Sequence, residues 1–169
     1  MPKRWLPLLF SAVLLAAASG CGKYAPEPST GPSTGVVDAE TGGVTLGLQE
    51  TARVSGLVIT LNQVETLADG PGLQEGYVYI MVNLTLKNEG SSPYTLSTPH
   101  FSLTSTAGDR APYSPQGTMQ RSPQLQGTLL QGKEVQGWLG FMAKAEADGF
   151  TLTFSHPTGS TAIWAFSRP

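Results

Sequence analysis

The run Tyr77-Val-Tyr-Ile-Met-Val-Asn-Leu-Thr-Leu-Lys-Asn88 limits what this chain can become more than any other segment. Val78, Ile80, Val82, Leu84 and Leu86 fall on every second residue, with Tyr77, Tyr79, Met81, Asn83 and Thr85 between them. Side chains on an extended strand point alternately to opposite faces, so this spacing gathers the aliphatic set on one side, whereas a helix would scatter it around the axis. The segment is therefore predicted to be a half-buried strand, ended by the turn formers Asn88-Glu-Gly-Ser-Ser-Pro93. Such a strand is not stable alone and requires partners of the same period.

The rest of the chain supplies them. Leu57, Ile59 and Leu61 alternate with Val58, Thr60 and Asn62, and a loop over Ala68–Gly72 follows. Tyr94–Ser97 and Phe101–Ser105 read as short strands. Val135, Leu139 and Phe141 share a parity with Gly137; Phe150, Leu152 and Phe154 repeat the pattern, and Thr161–Ser167 carries Trp164 and Phe166 as core residues. Ala143–Ala147 favours helix by composition but is too short for more than a turn. Ala111–Gln126, rich in Pro, Gln, Ser and Gly, has no period and reads as a long loop. Seven to eight short strands without interleaved helices predict an all-β, antiparallel, immunoglobulin-like β-sandwich over residues 44–169. The cysteine pair of antibody domains is absent, so that core stands on packing.

Strand-end Lys87-Asn88, then Pro93, Leu96, Phe101-Ser-Leu103, Gly108-Asp-Arg110, Tyr113, Leu130, Gly132-Lys-Glu-Val135, Gly137 and Phe141 form an order that resembles the family catalogued as domain of unknown function 4352. The resemblance spans about residues 44–155. It implies an immunoglobulin-like sandwich of a kind common in bacterial lipoproteins and secreted proteins, similar in fold to a secreted mycobacterial immunogenic protein. Its motifs are turn and core residues, so it implies no reaction and no catalytic residue.

Ahead of the sandwich, Lys3 and Arg4 precede an apolar stretch from Trp5 to Ala18, then Ser19, Gly20 and Cys21. Basic, apolar, then small is the layout of an export signal. As a helix the stretch is roughly 21 Å long against a hydrocarbon core of about 30 Å, too short to remain as a span. Cys21 is the only cysteine and stands at the expected cut after Gly20, which resembles the bacterial lipobox. In that motif the thiol takes a diacylglyceryl group before cleavage; Ala18 replaces its usual leucine. The other reading of these residues is an ordinary secretory leader and a free thiol. Residues 1–20 are thus predicted to be a lipoprotein signal peptide, and residues 21–43, with Pro-Ser-Thr-Gly twice in succession, a flexible tether. The expected location is the cell membrane or outer membrane, lipid-anchored, with the domain extracytoplasmic; Gly22, where an aspartate would hold the protein at the inner membrane, leans towards the outer. No second apolar run of spanning length follows.

Loss of residues 1–20 removes two of 10 basic residues and none of 12 acidic ones, leaving about −4. With no basic cluster, nucleic acid is not an expected partner. A Gly-x-Ser-x-Gly elbow, a P-loop and calcium-type acidic runs are all missing, so no enzyme activity and no cofactor are expected. His100 and His156, each beside a proline, read as exposed loop-end residues; with Met119 and Met142 they are also the candidate ligands for an envelope copper site, the alternative function. Tyr77, Tyr79 and Trp138 occupy strand parities opposite the aliphatic set. They form a possible binding surface for a protein or glycan partner unless the N-terminal segment or the long loop covers them. The expected function is a non-catalytic interaction module, with the loop at 111–126 the first candidate for recognition.

Overall fold

The computed structural model describes residues 36–38 and 44–169; Gly20, Cys21 and the leader lie outside the described residues. In chain order the strands are β1 (Val36–Asp38), β2 (Thr45–Leu46), β3 (Thr51–Val54), β4 (Leu57–Leu67), β5 (Tyr77–Asn88), β6 (Tyr94–Thr95), β7 (Phe101–Ser105), β8 (Arg110–Ala111), β9 (Thr128–Leu129), β10 (Glu134–Lys144), β11 (Gly149–Ser155) and β12 (Thr161–Ser167). One four-residue helix, α1, spans Pro115–Thr118, and a 3₁₀ turn spans Thr98–His100.

These strands build two five-stranded sheets, β1-β3-β4-β5-β10 and β2-β12-β11-β7-β8, with β6 and β9 as a separate ribbon. Beyond the expected strands, the sandwich gains two- and three-residue pieces that close its edges. The three long strands β4, β5 and β10 pair antiparallel, with Ile80 opposite Phe141 and Leu84 opposite Gly137. The predicted parity holds. Ile59, Leu61, Ile80, Val82, Leu84 and Leu86 are fully buried and face Leu103, Phe150, Leu152, Phe154 and Trp164 of the second sheet in one core. Trp164 fits there because its indole N–H reaches the Glu50 carbonyl at 3.1 Å, satisfying its one polar atom.

Three differences from expectation follow from edge and face coverage. Val36–Asp38, inside the stretch predicted as tether, pairs in parallel with Thr51–Arg53, and Val37 packs against the core; two β-branched residues in succession suit an edge strand. On β4 the register shifts between Leu61 and Gln63, so Val64 returns to the core while Asn62 donates to Asn83 Oδ1 at 3.0 Å and Thr85 Oγ1 at 2.9 Å. The largest difference is at β5, which is buried on both faces because the 111–126 segment is ordered and lies over the outer side.

Candidate functional site: the Tyr94 groove and its two histidines

The aromatic face predicted on β5 and β10 is covered. Tyr79 is 0% and Trp138 8% exposed, with Tyr77 intermediate, and Tyr79, Met81 and Trp138 form a second small cluster with Leu67, Leu73 and Met142. The cover is the 111–126 segment itself. Ser114 caps α1 by accepting from the Gly117 N–H at 3.0 Å, and the short helix seats Gly117 on the Tyr79 ring, where a Cβ would come within 2.8 Å. The Tyr79 hydroxyl donates to the Pro71 carbonyl at 2.6 Å.

The segment also follows the β10 edge like an irregular strand. Ser114 N–H donates to Gly140 O (2.7 Å), Met142 N–H to Pro112 O (2.9 Å), Leu125 N–H to Trp138 O (3.1 Å) and Trp138 N–H to Pro123 O (2.9 Å). Gly137 and Gly140 make the approach possible: a Cβ would lie 2.5 Å from Leu125 N at the first and 2.6 Å from Thr118 N at the second. Tyr77, Tyr79 and Trp138 therefore do not make an open stacking platform. The loop expected to recognise a partner is occupied in closing an edge and burying the outer face.

At one end of the sandwich the sequence-separated histidines converge on Tyr94. The end of the 3₁₀ turn places His100 Nδ1 2.6 Å from the Tyr94 hydroxyl oxygen. From the end of β11, His156 stacks on the same ring, centroids 5.4 Å apart and planes 24° from parallel. Phe154 lies 6.3–6.4 Å from Tyr94 and both imidazoles. Both histidines are half-buried, which corrects the reading of them as exposed loop ends; Tyr94, Phe154 and Thr158 shield them. Burial pushes the Tyr94 phenol up to about 12, so it stays neutral. Burial, and then the proximity of His100, hold His156 below its ordinary value. His156 Nδ1 accepts the Thr158 N–H at 3.2 Å and lies 2.7 Å from Thr158 Oγ1, an arrangement suited to the neutral ring.

Tyr94 and His156 line an open groove of about 370 Å³ with Ser55, Asn88, Ser91, Ser92 and Pro157. Its shape depends on Asn88, which is 2% exposed. The Asn88 amide donates to Ser92 O (2.8 Å) and Leu129 O (2.9 Å) and accepts from Gly90 N–H (3.0 Å), fixing the turn after β5 and joining it to β9. Ser55 Oγ lies 2.9 Å from Thr158 Oγ1 and donates to Ser160 Oγ at 3.2 Å, tying the β3–β4 turn to the turn after β11.

The four copper-ligand candidates separate. Met142 belongs to the Tyr79–Met81–Trp138 cluster and Met119 is exposed at the end of α1, whereas the histidines share Tyr94. Among the described residues no group of three or more His, Cys, Asp or Glu side chains is placed to hold a metal ion.

The model of the family described as a domain of unknown function, DUF4352, matches residues 46–163. The chain belongs to the DUF4352 family. The match covers the sandwich from β2 into β12. Similar solved structures include the yjhA protein from Bacillus subtilis (TM-score 0.56, 17% identity, 71% of this chain and 98% of that one). The secreted protein MPT63 from Mycobacterium tuberculosis is similar at TM-score 0.55 and 14% identity, over 72% of this chain and 95% of that one. A candidate lipoprotein of Bacillus subtilis, ycdA, matches at TM-score 0.56 and 13% identity; 69% of this chain covers only 38% of it. At these identities the likeness is one of fold. Comparison with curated proteins found no match. In this DUF4352 domain Lys87-Asn88, Gly137 and Phe141 act on the turn, the covered edge and the core.

Proposed function

We propose that this DUF4352 protein is an extracytoplasmic lipoprotein, fastened to a membrane through acyl chains on Cys21, whose sandwich is a non-catalytic recognition module. The observation that carries the reading is the order Lys3-Arg4, Trp5–Ala18, Ser19-Gly20-Cys21, with the chain's only cysteine at the cut. Two or more acyl chains hold a protein stably where one holds it marginally. No helix among the described residues is long and apolar enough to cross a membrane. The candidate-lipoprotein and secreted-protein descriptions of similar folds agree with this location.

Recognition is assigned to the Tyr94 groove, because the aromatic face is covered and the groove is lined by turns whose backbone Asn88 fixes. Hydroxyls, an imidazole and a proline suit an uncharged peptide or a glycan. The test is co-purification from detergent-solubilised envelopes, comparing wild type with Ser91→Trp, which fills the groove at an exposed position, and Gln74→Trp, which alters a distant exposed loop. The expected result is a partner retained by Gln74→Trp and reduced about tenfold by Ser91→Trp. Equal recovery with all three proteins counts against the groove.

Envelope metal binding is the second reading, favoured by the convergence of His100 and His156 on one tyrosine. It predicts a rise in thermal midpoint with excess copper that His100→Gln removes; no change in the wild type rejects it.

A further inference from the structure

We propose that the cavity beside β8, lined by Arg110 and the buried Ser105 over an apolar floor, is a binding site for a small organic carboxylate. It lies at the opposite end of β5, β10 and β11 from the Tyr94 groove, so it stands independently of the recognition assigned there.

The cavity originates in the residue pattern. On β7 the core face carries Phe101, Leu103 and then Ser105; on β10 it carries Leu139, Phe141 and then Ala143. Ala111, opposite Leu103 on β8, is buried as well. Large side chains thus give way to small ones on three strands at one end of the sandwich, and Ala147 in the turn after β10 adds little bulk. The space left is about 180 Å³, with Phe150, 1% exposed, among the apolar residues that line it. An apolar cavity of about 150 Å³ takes a benzene ring, so one ring or a short branched chain is the body that fits.

The charged walls specify the head group. Asp109, Arg110 and Lys144 line the cavity. Lys144 Nζ lies 3.1 Å from Asp109 Oδ2, so these two answer each other, from β10 and from the turn between β7 and β8, and one positive charge is left over. That charge is Arg110. Arg53, Arg121 and Arg168 each hold a carboxylate, whereas Arg110 has no ion pair among the described residues. A guanidinium presents paired N–H donors that match the two oxygens of a carboxylate.

Ser105 supplies a second donor. It is 6% exposed, and its Oγ accepts the Asp109 N–H at 3.1 Å, which occupies a lone pair and leaves its proton for an acceptor inside the cavity. The single uncompensated cation selects a monoanion, and the apolar floor selects an organic acid over an inorganic ion.

The test is a titration of the isotope-labelled full chain in detergent with benzoate, followed by amide NMR shifts near neutral pH at constant ionic strength. Saturable shifts are expected at Ser105, Arg110 and Ala147, with a Kd of about 1 mM, the scale set by so few ligand atoms. Benzamide, which keeps the ring without the charge, is expected to bind at least about tenfold more weakly, as is benzoate to Arg110→Gln. Arg110 is exposed, so its replacement spares the core. Lys133→Gln, which removes an exposed cation just before β10, should bind benzoate as the wild type does. The site is overturned by the absence of saturable shifts up to about 20 mM benzoate, by equal binding of benzamide, or by unchanged affinity in Arg110→Gln. Equal weakening in Lys133→Gln, which would trace the effect to net charge alone, overturns it too. So would saturable shifts confined to Ser91 and His156, which line the Tyr94 groove.

Discussion

Gly140→Ala puts a methyl group where the covering segment crosses β10, and the structure gives it nowhere to go. Its Cβ would lie 2.6 Å from Thr118 N and 2.7 Å from Gly117 C, both backbone atoms of the α1 turn. Relief requires α1 to move outward, and overpacking of this kind costs about 1–3 kcal/mol. Moving α1 also strains two bonds that meet at Gly140: its N–H to Thr118 Oγ1 at 2.8 Å and its carbonyl from Ser114 N–H at 2.7 Å. Each contributes about 0.5–1.5 kcal/mol, so the combined loss is roughly 2–6 kcal/mol, a large share of the 5–15 kcal/mol typical of a domain. In urea, where slopes are about 1–3 kcal/mol per M, the midpoint should fall by roughly 1 M or more. Gly47→Ala is the control, because its Cβ would meet nothing closer than Glu50 Oε2 at 3.8 Å. A Gly140→Ala midpoint indistinguishable from that of Gly47→Ala would refute the claim that close packing of the 111–126 segment holds the outer face shut.

Other substitutions probe the remaining supports. Asn88→Ala leaves Leu129 O, Ser92 O and Gly90 N–H without their side-chain partner at a buried site and is expected to cost about 2–4 kcal/mol, read by urea denaturation. Trp164→Phe keeps a ring in the core but removes the bond to Glu50 O, a loss of about 1–3 kcal/mol that a thermal melt would register as a lower midpoint. Raising salt from low to about 0.5 M should change stability by less than about 1 kcal/mol, because Arg53, Lys87, Lys144 and Asp109 carry their ion pairs at the surface.

The sheet architecture was legible because period-two burial leaves a direct trace in residue order. Val78 to Leu86 and Phe150 to Phe154 each pack on the face their parity assigns. The continuation of β4 past Asn62 was hidden by its bulge, which resets the parity before Val64. The ordering of 111–126 had no periodic signature, since that segment is held by backbone bonds to β10 and by α1. One signal did exist: glycines at 137 and 140 inside a strand indicate close backbone approach, and both serve that purpose. The gathering of His100 and His156 around Tyr94 joins residues up to 62 positions apart through the pairing of β7 with β11, which no local pattern encodes. Val36–Asp38 escaped notice because its three residues are too few for a period to show.

The anchor at Cys21 is tested most directly by the intact mass of the protein isolated from the membranes of its own cells. The expected product begins at Cys21 and carries the added mass of a diacylglyceryl group on the thiol, with residues 1–20 gone. A product with a free thiol at Cys21, or one that still carries the leader, would contradict the account.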